Sequence, residues 1–160
     1  MGLDMYLSAV RSFYPEWIKG ENDDSSSKEE GKEIKGIRRV LPEMFRTGNL
    51  DYVRVEFEAG YWRKANQIHK WFVDNVQEGN DDCKDYPVSR EDLEKLLDAC
   101  EKVKEDNKRA SELLPVVGGF FFGSAVYDRY YFEQVGETIK IIKRCLGLPL
   151  DWSFKYEASW

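Results

Sequence analysis

The chain has 160 residues, 42% of them hydrophobic, and carries 24 Lys and Arg against 30 Asp and Glu, for a formal net charge of −6 at pH 7. That length suits one domain around a single core, and no apolar run approaches the roughly 20 residues of a membrane helix. The acidic balance excludes coating of long nucleic acid by the overall field, while leaving room for a local basic pocket that holds a small anion.

The opening segment alternates Leu3, Met5, Leu7 and Ala9 with Asp4, Tyr6, Ser8 and Val10, which predicts a strand. It lacks the basic and apolar regions of a signal peptide. Tyr6 stands where an N-myristoylation signal at Gly2 wants Ser or Thr, so the expected location is cytosolic. From Lys19 to Lys35 the chain is polar and Gly/Ser-rich, with six acids, four bases and a single Ile, and is expected to be a mobile loop or hairpin tip. Ile37–Phe45 is ambiguous, and Pro42 argues against one continuous helix there.

Tyr52–Glu58 is the clearest strand, with Val53, Val55 and Phe57 alternating against Arg54, Glu56 and Glu58. After Ala59-Gly60 the spacing of Trp62, Ala65, Phe72, Val73 and Val76 predicts a helix over about 61–76, with His69 on the same stripe. Asn75–Tyr86 is a polar loop closed by Pro87. Ser89-Arg90-Glu91-Asp92 then reads as a capping box opening a helix with Leu93, Leu96, Leu97, Cys100 and Val103 on one face.

Pro115 and Gly118-Gly119 break the chain before Phe120-Phe121-Phe122. A third helix begins near Tyr127 or Asp128, carries Phe132, Val135, Ile139, Ile142 and Leu146, and stops at Gly147 and Pro149. The last segment alternates Trp152, Phe154 and Tyr156 with Ser153, Lys155 and Glu157 and is strand-like to Trp160. The expected architecture is α+β, a small, mainly antiparallel sheet packed against about three helices. Residues 1–160 are expected to form a single domain.

Cys83, Cys100 and Cys145 are odd in number and far apart, which leaves neither a disulfide framework nor a CxxC zinc site. The single histidine excludes HExxH and every site needing two His ligands. A P-loop, a GxSxG elbow and an EF-hand loop are also missing. The expected assignment is therefore no catalytic residue, no metal and no cofactor.

Two stretches depart from the background. Residues 61–72 hold three bases and no acid beside an expected helix N-terminus, where partial positive charge and unpaired N–H groups suit a phosphate. Trp62, Asn66 and His69 share one helical face there, and Arg63, Asn66 and Lys70 a neighbouring one. The competing reading makes Trp62 and Phe72 core, Arg63 and Lys70 solvated, and His69 a hydrogen-bonded core histidine.

The second stretch, 118–132, holds seven aromatics framed by Gly118, Gly119 and Gly123, with Ser124 just ahead of a helix. Glycines allow close backbone approach to a ligand, and aromatic faces stack on nucleobases. Alternatively the three Phe residues form a buried strand, Phe120 and Phe122 on one side and Phe121 on the other. An enzymatic reading pairs His69 with Asp128 or Asp4 as general base and orienting group.

The opening Met1-Gly2-Leu3-Asp4-Met5-Tyr6-Leu7 and the blocks YWRKANQIHKWFVDNVQEGNDDC (61–83) and GFFFGSAVYDRYYFE (119–133) together resemble a widespread family of small phage and prophage proteins. The resemblance covers most of the chain and fails over about 12–50, where this chain has its own polar insertion. Through that family the chain is similar to the phage anti-CBASS sponges, which form oligomers and sequester cyclic dinucleotides such as 3′3′-cyclic GMP–AMP without cleaving them.

The resemblance implies an immune-evasion protein in the cytoplasm of the infected bacterial host. It implies a homo-oligomer, dimer or tetramer, with neither long nucleic acid nor a membrane as partner. Trp62, Arg63, Asn66, His69, Phe120, Phe122, Ser124, Tyr127 and Tyr131 are then expected to line or support a shared ligand pocket. The rival readings are an inhibitor of a host protein acting through protein–protein contacts, a nucleotide-processing enzyme, and a phage structural protein with no small ligand.

Overall fold

A computed structural model describes residues 2–13, 36–37, 39–40, 42–43, 52–120 and 122–160. The expected polar loop at 19–35 and the ring of Phe121 lie outside them. The elements are β1 (Asp4–Phe13), β2 (Val53–Arg63), α1 (Asn66–Asn75), β3 (Tyr86–Val88), α2 (Arg90–Glu105), α3 (Ala110–Leu113), α4 (Arg129–Leu146) and β4 (Ser153–Ser159). The strands form one antiparallel sheet in the order β2-β1-β4-β3, so the class is α+β.

The chain forms two compact units, one of Met1–Val10 with Phe57–Trp160 and the other of Arg11–Glu56. In the second, the Arg11 guanidinium lies 4.5 Å above the Phe13 ring, and Ile37, Arg39, Val40, Pro42 and Glu43 take helical backbone. The first holds the candidate site.

Alternation drives β1, whose Met5, Leu7 and Ala9 are fully buried. β4 pairs with it from Asp4↔Ser159 to Val10↔Ser153, which joins the first strand of the chain to the last. The far edge is β3, paired Tyr86↔Tyr156 and Val88↔Phe154. Pro87 was expected to close a loop and instead sits inside this strand. An edge strand tolerates the missing N–H, which is why a Pro-containing tripeptide can still pair.

The capping box of α2 is complete, with Ser89 accepting from the Asp92 N–H and Asp92 accepting from the Ser89 N–H. Leu93, Leu96, Cys100 and Val103 recur at three- and four-residue intervals and are fully buried. They face α4, where Val135, Ile139, Ile142 and Cys145 form the matching stripe. Asp128 caps α4 by accepting from the Tyr131 N–H at 2.9 Å.

Arg90 closes the other end of α4, donating to the carbonyls of Leu146, Leu148 and Pro149 at 3.1, 2.8 and 2.6 Å. The Leu146 carbonyl is among the groups a helix C-terminus leaves unpaired, and Leu148 and Pro149 follow just beyond the Gly147 cap. Burial pushes both helical thiols up, Cys145 to about 11, so neither is a thiolate near neutrality, while Cys83 is exposed. Among the described residues no helix is long and apolar enough to cross a membrane.

Candidate functional site

The first aromatic block does not begin as a helix. β2 runs through Tyr61 and Trp62 to Arg63, and α1 starts only at Asn66. The two periods overlap here: Trp62 points inward and Tyr61 and Arg63 outward, a spacing of two that governs until Lys64 turns the chain. Lys64 takes φ 56°, and its N–H donates to the Leu3 carbonyl at 2.8 Å. This strand-to-helix turn leaves α1 with Ala65 at its N-cap, no capping side chain and no acid in its first turn.

Trp62 therefore belongs to the core. It is 1% exposed, and its Nε1 donates to Thr138 Oγ1 at 2.9 Å. Thr138 in turn donates to the Gln134 carbonyl at 2.7 Å, so both polar groups are satisfied in the interior. The indole is unavailable for stacking on a nucleobase. Arg63 is exposed, with its Nε 3.9 Å from Asp4. Asp4 is also the acceptor for the Tyr61 hydroxyl at 2.5 Å.

Asn66 joins the two blocks. Its Nδ2 donates to the carbonyls of Phe122 at 3.1 Å and Ser124 at 2.9 Å, and its Oδ1 accepts from the Val117 N–H at 3.0 Å. The segment it grips is a tight turn rather than the buried strand considered above. Gly119 and Gly123 form an isolated bridge, and the Phe122 N–H donates to the Gly119 carbonyl at 3.2 Å.

A Cβ on Gly119 would sit 2.2 Å from the Phe122 ring, and Gly123 has φ +88° beside Lys64. Both positions need glycine for the turn to close. The turn sorts the rings. Phe122 faces inward and stacks on His69 at 5.4 Å between centroids and 20° between planes, whereas Phe120 is 95% exposed.

The tyrosines that follow are divided the same way. Tyr131 is buried and donates to the Leu114 carbonyl at 2.8 Å, and burial pushes its phenol well up. Tyr127 is 37% exposed and meets Tyr131 edge-on at 5.0 Å. Tyr130 is 46% exposed and donates to the Arg63 carbonyl at 2.6 Å, which ties the start of α4 to the end of β2.

His69 is 3% exposed and uses both ring nitrogens. Nε2 meets Asp81 at 3.0 Å and Nδ1 meets the Tyr156 hydroxyl at 2.8 Å. Asp81 accepts only, so the partners assign the proton to Nε2 and make Nδ1 the acceptor for Tyr156. Burial holds the imidazole below its usual pKa, against the opposing pull of Asp81. The suggested partners Asp4 and Asp128 are not its neighbours, since Asp4 is bound to Tyr61 and Asp128 caps α4. Trp160 closes the ring cluster, edge-on to His69 at 5.5 Å.

Two small clefts flank this joint. One of about 140 Å³ is lined by His69, Lys70, Asp74, Asp81, Val117 and Phe122. The other, about 90 Å³, lies over the start of α1 and is lined by Lys64, Gln67, Ser124, Asp128 and Tyr130 among others. Of the residues expected at a shared pocket, Asn66 bonds the carbonyls of Phe122 and Ser124, His69 stacks on Phe122, Tyr131 lines the smaller cleft with Asn66 and Ser124, and Trp62 is core.

Phe120 and Tyr127 are exposed near this joint, and Arg63 stands on the outer face of β2. Sequence reasoning missed Lys64 and Gln67. Both lie in the basic block, but their orientation follows from the left-handed turn at Lys64, which the apolar spacing does not encode. Among the described residues no group of three or more His, Cys, Asp or Glu is placed to hold a metal.

The geometry brings an aromatic turn, the uncapped start of α1 and two small clefts together on a small α+β scaffold. No protein-family model, no curated protein and no solved structure matches this chain.

Proposed function

We propose that this chain is a phage protein of the infected bacterial cytoplasm that binds a cyclic dinucleotide, such as 3′3′-cyclic GMP–AMP, and sequesters it without cleavage. The observation that carries the reading is the Asn66 side chain, which fastens the glycine-framed aromatic turn to the uncapped start of α1. A nucleotide needs flat apolar faces for its bases and donors for its phosphates. The exposed rings of Phe120, Tyr127 and Tyr130 offer the first, and Arg63, Lys64 and the α1 N-terminus the second.

Sequestration is favoured over hydrolysis because the histidine is committed. With Nδ1 and Nε2 both hydrogen-bonded and the ring stacked beneath Phe122, His69 has no nitrogen free to take a proton from water. The clefts of about 90 and 140 Å³ are well below the roughly 300–1,000 Å³ that enclose a drug-sized ligand. A dinucleotide is therefore held across the surface and covered by a second copy, which suits a pseudo-symmetric ligand at a twofold axis of a homo-oligomer.

The test is to incubate the purified protein with a panel of cyclic di- and trinucleotides, isolate the complex, denature it and identify what is released. Intact cyclic nucleotide supports the reading. Linear product indicates an enzyme, and no binding across the panel leaves the aromatic surface to a protein partner.

A further inference from the structure

We propose that the cleft over the start of α1 is a site for one tetrahedral oxyanion, with Gln67 and Lys64 as its side-chain donors. As the phosphate subsite of a bound nucleotide it rests on the reading above; as a site for the oxyanion itself it stands on the cleft alone. Gln67 is 3% exposed and lines the cleft, yet its Nε2 is buried with no hydrogen-bond partner among the described residues. Native interiors pair the large majority of such groups, so this amide calls for an acceptor that the described residues do not supply.

The backbone around Gln67 points to the charge of that acceptor. The first bonds to the helix interior are made by the Ile68 and His69 N–H groups, both to the Ala65 carbonyl at 3.0 Å. The Asn66 and Gln67 N–H groups precede them at the positive end of a helix ten residues long, with a methyl group where a capping oxygen usually sits. An anion is the ligand that this end accepts best.

Lys64 lines the cleft and makes no ion pair among the described residues; its Cε lies against Gly2, and the flexible side chain carries a full positive charge within reach of the cleft. Ser124 lines the same cleft. Asp128 lines the cleft too; one of its oxygens accepts the Tyr131 N–H as the cap of α4, and its negative charge opposes the anion that Lys64 and the helix end attract. A volume of about 90 Å³ suits one oxyanion and excludes a nucleobase. The shared chemistry is a phosphate group, either the ester of a nucleotide or free inorganic phosphate.

The experiment compares the wild-type protein with Gln67→Met, which keeps volume and removes the donor, and with Lys64→Gln, which removes the positive charge. Inorganic phosphate binding is followed by phosphorus NMR line broadening and 3′3′-cyclic GMP–AMP binding by calorimetry, with thermal unfolding as the fold control. Tenfold or greater loss of phosphate binding in both variants, at unchanged unfolding temperature, is the expected result; a parallel loss for the dinucleotide identifies the nucleotide ester as the source. Loss of phosphate alone, in a protein that never binds the dinucleotide, upholds the oxyanion site and overturns the nucleotide reading. Dinucleotide binding that both variants retain in full overturns the subsite and leaves the nucleotide reading intact. A wild-type protein that binds neither probe overturns both.

Discussion

The Asn66 side chain holds the Ser124 carbonyl at 2.9 Å across 58 positions of sequence, and with its bonds to Phe122 and Val117 it is the joint between helix α1 and the aromatic turn. Asn66→Ala removes three hydrogen bonds and strands their backbone partners. The expected cost is about 3 kcal/mol, because an unsatisfied buried group loses more than the mean value of a bond. Urea unfolding measures it, and limited proteolysis should cut the variant first between 117 and 124.

Trp62 is the clearest division between a core role and a binding role. Trp62→Ala is expected to destabilise the protein by about 3–5 kcal/mol, as for other buried aromatic truncations. Trp62→Phe keeps most of the volume and leaves Thr138 without its indole donor, so it should cost less and retain ligand binding. Comparison of the two by thermal unfolding and by nucleotide titration checks the assignment.

His69 makes stability depend on pH with a definite sign. Its pKa in the fold is held below the ordinary 6.5 by burial, so the unfolded chain binds the extra proton first as pH falls. Stability contributed by the neutral ring is complete above 6.5 and is lost as pH drops from there toward the lowered folded value. The unfolding temperature of the wild type should fall more steeply between about pH 8 and about pH 5 than that of His69→Gln, which has no titrating ring. Equal slopes would remove His69 from this role.

Much of this fold is written in short-range pattern. Alternation marks β1 and β4, the Ser89–Asp92 box marks α2, and the stripe from Val135 to Ile142 marks α4. At residues 61–65 the same logic misplaces a boundary, since Trp62, Ala65 and Phe72 fit a helical period while Trp62 is in fact the last inward residue of a strand. Tertiary packing against Thr138 decides between the two, and nothing local encodes it.

Within the candidate site, residue types were legible and contacts were not. Asn66, Phe122, Ser124 and His69 stood out by composition, but the Asn66 bridge spans more than fifty residues. The partners of His69, Asp81 and Tyr156, come from a polar loop and the last strand.

Phe120 tests the exposed side of the turn. Because its ring lies almost wholly in solvent, Phe120→Ala should leave the unfolding temperature within error. If the ring stacks on a base, nucleotide affinity falls by the equivalent of about 1–3 kcal/mol. Calorimetric titration of both proteins reads the difference.

The most direct test of the central claim is amide hydrogen exchange with and without 3′3′-cyclic GMP–AMP. Slower exchange at the start of α1, from Asn66 to His69, and in the turn from Gly118 to Ser124 is the predicted result, with the rest of α2 and α4 unchanged. No change on adding nucleotide, or protection confined to segments away from both the turn and α1, would contradict it.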